Sequence, residues 1–368
     1  MCEGGEPVKP AKGGALRHVL THLLTPLLMC VGMGLAYLGA FADPSPHQLP
    51  VAVVGSGPAA KVLAQTLDDK ADGGLAVRTV PNRAEAERQL KERHIFGAYV
   101  PDKRAPELLV ASAGSDTTAT VVQKVFTPVA AHQGAPLKVS DVAPPGEHDP
   151  TGQGIFFLLV ALSIGSYASV AVIGGAGAVL PMRLRALLAV ATSLVVSAIG
   201  TALAGPVFHL VDHGLAGLWG MAWLYSAGVL LVGVGLHTFL KRWTTLGVMV
   251  LFVMLNFTSA GGVFRPELQN GFFAALHSFW NGAGFVEGVR SHIYFDGAGL
   301  GGHVWTLAWW LVVGAAVTAV AWAAEARRDS APAAVTAAAG GAEEAAEETV
   351  GGAARGTAEE EMEEAVGV

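Results

Sequence analysis

Apolar residues divide this chain into long hydrophobic runs and one polar, alternating region. Six runs have about 20 mostly apolar residues, the length that a helix needs to cross a bilayer. They cover residues 19–41, 154–180, 186–207, 215–240, 244–262 and 303–324. Glycine is frequent in these runs, and small residues allow membrane helices to pack closely. The pattern predicts an α-helical polytopic membrane protein with six transmembrane helices.

Residues 42–150, between the first and second runs, alternate between short apolar stretches and amphipathic ones. Strands are predicted at 50–54, 75–80, 95–100 and 108–112, and helices at 58–67, 83–92 and 117–131. About 100 residues are enough to form one hydrophobic core. The sequence therefore predicts a small α/β domain inserted between the first and second transmembrane helices.

The positions of lysine and arginine predict how the spans are oriented. Basic residues occur before the first run and then in every second loop, and cytoplasmic loops carry such an excess. They are Lys9, Lys12, Arg17, Arg183, Arg185, Lys241, Arg242, Arg327 and Arg328. We therefore expect a plasma-membrane protein with a cytoplasmic N-terminus (1–18) and a cytoplasmic C-terminal tail (325–368). The α/β domain is then extracytoplasmic, as is the loop at 263–302.

The first run has a second interpretation, since Ala40-Phe41-Ala42 follows an apolar stretch with basic residues before it. This arrangement resembles a cleavable signal peptide. The apolar stretch is longer than the 7–15 residues usual in such peptides, which favours an uncleaved membrane anchor.

Composition supports a membrane location and argues against nucleic-acid binding. Of the 368 residues, 52% are hydrophobic and 14% are charged, whereas soluble proteins have roughly 25% charged residues. The tail from Asp329 holds ten acidic residues against Arg355 alone, so the net charge of −7 leaves about +2 for the rest. This small net charge outside the tail gives no indication of a basic patch that would bind nucleic acid. The tail is predicted to be disordered and acidic.

Two motifs resemble ligand-binding sites, but the surrounding sequence favours a structural role for each. Gly55-x-Gly57-x-x-Ala60 follows a predicted strand, as in dinucleotide-binding proteins, but the acidic residue expected about 20 positions later is absent. A structural turn is the favoured interpretation. His209, Asp212 and His213 have a spacing that could bind zinc, but a polar cap between two spans is the favoured interpretation.

No source of energy is apparent within the chain. It contains no phosphate-binding loop of the G-x-x-x-x-G-K-[ST] type, and the middles of the apolar runs are almost free of ionisable residues. We therefore expect no catalytic, cofactor-binding or metal-binding residues. Any active transport would require ATP hydrolysis by a separate subunit.

The layout resembles the ABC-2 type permease superfamily, and within it the YhgE/Pip-like membrane proteins and a neighbouring family of unknown function. The resemblance rests on one span, a large domain opening with PVAVVG, five clustered spans, and the stretch SAGGVFRPELQNGFFAALHSFWNGAGFVEGVR. It covers about residues 26–324. Two features depart from it: Trp280-Asn281 stands where such proteins often have proline, and the loop at 181–185, where an ATPase would be contacted, is short.

The resemblance implies a permease that exports an amphiphile or a polymer, with the lipid bilayer, a separate ABC ATPase and a second subunit (homodimer or heterodimer) as partners. A candidate gate is the polar break in the fifth run, formed by Asn256, Thr258, Ser259, Gly261 and Gly262. A candidate outer interfacial helix carries Phe272, Phe273, Leu276 and Phe279, which would otherwise seal the rim of the bundle.

Glu267, Glu287 and Arg290 would form salt bridges in the loop or contact cargo. The alternative to a permease is a non-transport scaffold, associated with phage adsorption or secretion, that binds a partner through the α/β domain. A membrane enzyme would depend on His209, Asp212 and His213.

Overall fold

The computed structural model describes residues 12–328, and this part of the chain is mostly helical. Within it, five helices are long and apolar enough to cross a membrane. They are α1 (Lys12–Phe41), α5 (Gly154–Gly175, continued by a 3₁₀ turn to Val179), α6 (Met182–Ala202, continued by a π-helical turn to Val207), α7 (Leu215–Leu240) and α12 (Leu300–Arg328). The expected membrane character is thus confirmed. Most of the predicted N-terminus and the acidic tail from 329 lie outside the described residues.

The fifth predicted run forms a shorter helix than a simple span requires. It comprises α8 (Thr244–Met249), a π-helical turn (Val250–Leu255) and α9 (Asn256–Ser259). At 1.5 Å per residue this α8–α9 segment is about 24 Å long, against a hydrocarbon core of about 30 Å. It ends because Gly261 adopts a φ of +73°, which favours glycine. By length, five helices and not six qualify as spans.

Glycines set the spacing between the long helices. A Cβ added to Gly200 of α6 would lie 2.6 Å from Leu162, and one added to Gly233 of α7 would lie 2.5 Å from Val170. Both distances are shorter than real Cβ contacts, so a side chain at either glycine would force Leu162 or Val170 to shift. Leu162 and Val170 belong to α5, which therefore contacts α6 and α7 closely. The predicted role of glycine in close packing agrees with this geometry.

The α/β region, residues 49–141, holds a five-stranded sheet in the order β2-β1-β3-β4-β5. β3 and β4 are antiparallel, whereas the other neighbouring pairs are parallel. The strands are β1 (Leu49–Val54), β2 (Leu75–Val80), β3 (Ala98–Val100), β4 (Glu107–Val110) and β5 (Lys138–Asp141). The helices are α2 (Pro58–Lys70), α3 (Arg83–Lys91) and α4 (Asp116–His132).

Every predicted strand and helix of this region has a counterpart, but β5 was not predicted. Its sequence, Lys-Val-Ser-Asp, lies at the exposed edge of the sheet and lacks an apolar alternation. Leucine and valine side chains of α2 and α4 cover one face of the sheet, and Ala86 and Leu90 of α3 cover the other. Gly55 has a φ of +141°, so the glycine motif has a clear backbone role.

After α9 the chain turns back into the bundle. We call residues 271–294 the helical hairpin: α10 (Gly271–His277) and α11 (Asn281–Tyr294). Asn270 donates a hydrogen bond to the Gly39 carbonyl at the end of α1 (2.9 Å). Trp280, at the turn between the two helices, donates to the carbonyl of Leu251, in the middle of the α8–α9 segment (3.2 Å). The hairpin therefore enters the bundle alongside this segment and returns.

The sequence pattern predicts an outer loop for this stretch, whereas nearly all of α11 is buried. Small residues explain the difference. A Cβ on Gly282 would lie 2.3 Å from the side-chain oxygen of Asn256, and one on Gly288 would lie 3.0 Å from the sulfur of Met221. Glycine, asparagine and serine are not hydrophobic, and a stretch rich in them is therefore predicted to be a polar loop. They are also small, and in α11 their small size permits close helix packing.

Candidate functional site

A cluster of buried charges joins the helical hairpin to the α/β region. Its central residue is Glu287 of α11, which is paired with three arginines. The nearest is Arg93, which follows α3. Arg265 approaches one carboxylate oxygen at 3.3 Å, and Arg290 approaches the other at 3.1 Å. Together with Glu267, these residues form what we call the Glu287 cluster.

The centre of the cluster is almost completely shielded from water. The side chains of Glu287 and Arg290 are 2% and 1% exposed. Arg290 also donates to the carbonyl oxygens of Gly261 and Gly262, at 2.7 and 3.4 Å. These two carbonyls follow the end of α9, so Arg290 stabilises the turn that sends the chain back into the bundle. A buried charge is tolerated only when it is paired in this way.

The acidic residue Glu267 completes the pairing of Arg265. Arg265 Nε lies 3.2 Å from the Glu267 carboxylate, and its guanidinium lies 4.2 Å from the centre of the Phe96 ring. Burial by itself would raise the pKa of Glu267, but the charge of Arg265 outweighs that effect and holds the pKa below its usual range. Glu267 is therefore ionised at neutral pH and offsets one of the three arginines.

The backbone position of Arg93 explains how it reaches the hairpin. The amide of Arg93 bonds to Leu90 O and that of His94 to Gln89 O, which is the Schellman arrangement at the end of α3. The residue at this place adopts a left-handed conformation and is usually glycine. Arg93 has a φ of +63°, which costs about 1 kcal/mol or more for a residue with a side chain. Its contacts to Glu287 and to Ser291 (3.1 Å) offset that cost.

Two further contacts fix the α/β region on the segment between α9 and the hairpin. Thr117, in the first turn of α4, donates its hydroxyl hydrogen to Val263 O (2.8 Å). The amide of His47, just before β1, donates to Glu267 O (2.7 Å). With Arg93, these contacts come from three separate parts of the α/β region. The α/β region is therefore attached at three separate points to the stretch that runs from Val263 to the hairpin.

A second buried group of polar residues lies deeper in the bundle. The Tyr225 hydroxyl of α7 is 2.6 Å from Ser163 Oγ of α5 and accepts a hydrogen bond from the Asn256 amide (2.8 Å). The side-chain oxygen of Asn256 accepts the backbone N–H of Gly282, the second residue of α11 (2.8 Å). We call these four residues the polar seam. It joins α5, α7, α9 and the start of α11 through hydrogen bonds.

The predicted gate residues occupy different places in this structure. Asn256, Thr258 and Ser259 are all fully buried, and only Asn256 belongs to the polar seam. The hydroxyls of Thr258 and Ser259 bond to Met254 O and Leu255 O, one turn back in their own helix. Gly261 packs against His277, and Gly262 against Phe156. Their role in a gate stays a prediction.

The predicted interfacial residues do not share one exposed face. Phe272 and Phe279 are 59% and 50% exposed, whereas Phe273 is 5% exposed and lies against Gly39 of α1. Leu276 is partly buried. Phe272 and Phe279 are thus the two residues of this set that remain available to lipid.

Two of the three residues considered for a zinc site, His209 and His213, contact other parts of the chain. His213 contacts Ile293 O (3.0 Å), and the ring of His209 lies 5.7 Å from that of His148. Among residues 12–328, no group of three or more His, Cys, Asp or Glu side chains is arranged to hold a metal ion.

Salt bridges or contact with cargo were the two roles expected for Glu267, Glu287 and Arg290, and in the structure these residues form salt bridges. Three residues of these clusters were not predicted from the sequence: Arg93, Arg265 and Tyr225. Arg93 carried one usable signal: helix α3 ends there with no glycine or asparagine in the position that favours them. No protein-family profile, curated protein or solved structure matches this chain.

Proposed function

We propose that the protein is a permease-like subunit that exports an amphiphilic or polymeric substrate, with ATP hydrolysed by a separate ABC ATPase. The observation that carries the proposal is the helical hairpin: a broken helical segment inserted in the bundle and bonded to the α/β region through the Glu287 cluster. Such an arrangement connects a substrate-facing domain to the elements that would have to move. The absence of a phosphate-binding loop from the sequence is the reason for invoking an ATPase partner.

The proposal includes six crossings, with the α8–α9 segment as the fifth. Gly247 lies against Leu240 at the end of α7, Asn256 bonds to Tyr225, and Gly262 packs against Phe156 near the start of α5. The segment and its Gly-Gly turn thus follow α7 back towards the α/β region. Tilt, local thinning of the bilayer and flanking residues can accommodate a short span.

Six crossings would put both termini on the same side of the plasma membrane, and the basic loops make that side cytoplasmic and the α/β region extracytoplasmic. A reporter enzyme fused after Arg328 is therefore expected to be active only in the cytoplasm, as the basic loops predict. A matched fusion inside the α/β region, at the exposed β5, is expected to give the opposite result. An extracytoplasmic signal from the Arg328 fusion would contradict the six-span arrangement.

The transport proposal is tested by purifying the full-length protein from its native membrane and reconstituting the complex in liposomes. We expect an ABC ATPase to co-purify, and ATP to drive the movement of a fluorescent short-chain phospholipid between leaflets. A non-hydrolysable ATP analogue is the matched control and should support no movement. If no ATPase co-purifies and ATP has no effect on movement, the permease proposal fails.

The second candidate function is a scaffold or receptor that binds a partner through the α/β region. It is favoured by a groove of about 680 Å³ between α2 and α4, lined by Leu63, Leu67, Val125 and Val129. In the same purification, this function predicts a non-ATPase partner that is lost on Thr66→Trp, which fills the groove. Val62→Trp, at an exposed position of α2 outside the groove lining, should leave that partner bound.

A further inference from the structure

An apolar groove runs along the outside of the bundle between α5 and α6. It begins beside Asp149 with a cavity of about 380 Å³, and a second cavity of about 110 Å³ continues it along the two helices. Ala161 and Leu203 line both cavities, so the two cavities adjoin and together make up the groove. Along α5 it extends from Gly154 to Gly165, which is about 16 Å of helix.

Two features of α6 and α5 open this groove. The π-helical turn at Leu203–Val207 contains Pro206, which lacks the N–H that a regular helix would use. Gly165 and Gly200 contribute no side chain to the floor of the second cavity. Around the groove, Phe157 and Ile199 are 63% and 55% exposed, as expected for residues that face lipid.

The end of the groove nearest the α/β region is acidic. Asp149 is the single ionisable residue lining it, and this side chain is 6% exposed. One carboxylate oxygen accepts the N–H of Gln153 (3.1 Å) and the other accepts that of Gly154 (2.8 Å). A carboxylate has about four acceptor sites. Each oxygen therefore keeps the capacity to accept a further hydrogen bond from a molecule in the groove.

We propose that this groove is a binding site for a phospholipid with an ammonium-bearing headgroup, such as phosphatidylethanolamine, from the leaflet on the side of the α/β region. One acyl chain lies between α5 and α6, and the ammonium donates to Asp149. An acyl chain is the occupant because the groove is apolar and lies between two helices suited to span a bilayer. The carboxylate disfavours a lipid whose headgroup carries only negative charge.

The inference does not depend on transport, because a resident lipid and an exported one would use the same contacts. It requires only that α5 and α6 lie in the bilayer. Failure of the ATP-dependent movement described above would therefore leave this site unaffected.

The experiment uses full-length protein reconstituted in equal amounts of phosphatidylethanolamine and phosphatidylglycerol with identical acyl chains. The protein is then transferred to mild detergent, and retained lipids are counted by native mass spectrometry. We expect one retained phosphatidylethanolamine per chain, favoured over phosphatidylglycerol by about tenfold, which corresponds to about 1.4 kcal/mol.

Ala161→Phe should abolish retention, since this exposed residue lines both cavities and its replacement fills their junction. Ala168→Phe, two turns further along α5, is also exposed and should retain the lipid. Asp149→Asn should keep a lipid but lose the headgroup preference. The inference is overturned if wild-type protein retains both lipids equally, or if Ala161→Phe and Ala168→Phe behave alike. If Asp149→Asn fails to fold, the site is still tested by comparing Ala161→Phe with Ala168→Phe and by the ratio of the two lipids retained by the wild-type protein.

Discussion

Glu287→Gln is expected to destabilise the protein more than any comparable substitution of a surface carboxylate. It leaves Arg93, Arg265 and Arg290 next to one another, with Glu267 as the single acid of the cluster. Removing one partner of a buried ion pair typically costs about 3–5 kcal/mol, because an uncompensated charge remains in a low-dielectric surrounding. The measurement is the unfolding midpoint of the purified protein in detergent, by temperature or denaturant.

The matched control is Glu85→Gln, which removes a carboxylate paired with Arg88 on the exposed face of α3. Exposed pairs contribute little, so its midpoint should stay near that of the wild type. Equal midpoints for the two variants would show that the Glu287 cluster stabilises the folded protein no more than an exposed ion pair does.

The contribution of Arg93 can be separated from the rest of the cluster by a double-mutant cycle. Arg93→Met removes the guanidinium but keeps an apolar side chain of similar length. If Arg93 acts through Glu287, Arg93→Met should cost much less in the Glu287→Gln background than in the wild type. Equal costs in both backgrounds would place the role of Arg93 elsewhere, for example in its contact with Ser291.

Asn256→Leu is expected to have the second largest effect. The leucine is similar in size but leaves the Tyr225 hydroxyl without one donor and the Gly282 N–H without its acceptor. A buried polar group that loses its partner costs about 1–3 kcal/mol, and since the Tyr225 hydroxyl keeps its contact with Ser163, the substitution should cost about 2–3 kcal/mol. The variant is compared with wild type by thermal unfolding and by limited proteolysis of the segment between α10 and α11.

Thr258→Val is the control for Asn256→Leu, because Thr258 is also fully buried, two residues further along α9. Its hydroxyl bonds only to Met254 O and Leu255 O in the same segment, so its removal should cost under about 1 kcal/mol. Increased cleavage near Trp280 in Asn256→Leu alone would confirm that the polar seam holds the hairpin. The same cleavage in both variants would contradict it.

The sequence pattern indicated a special role for Asn256 but not for Arg93. Asn256 was singled out because an asparagine stands out in an apolar run, and the structure gives it two partners from other helices. Arg93 was not singled out, because an arginine after an amphipathic helix is an ordinary surface residue. Only the packing of α11 beneath the α/β region turns it into a buried partner of Glu287.

The sequence by itself determined the elements that depend on local pattern: the long apolar helices, the alternating strands and the helices of the α/β region. Residue spacing carries that information directly, since helices and strands repeat with different periods. Tertiary structure decided that the α8–α9 segment is short, that residues 271–294 re-enter the bundle, and that Glu287 is joined to Arg93. Those outcomes depend on which small residues face one another across helices, and on pairs about 200 positions or more apart, such as Arg93 with Ser291 and Gly39 with Asn270.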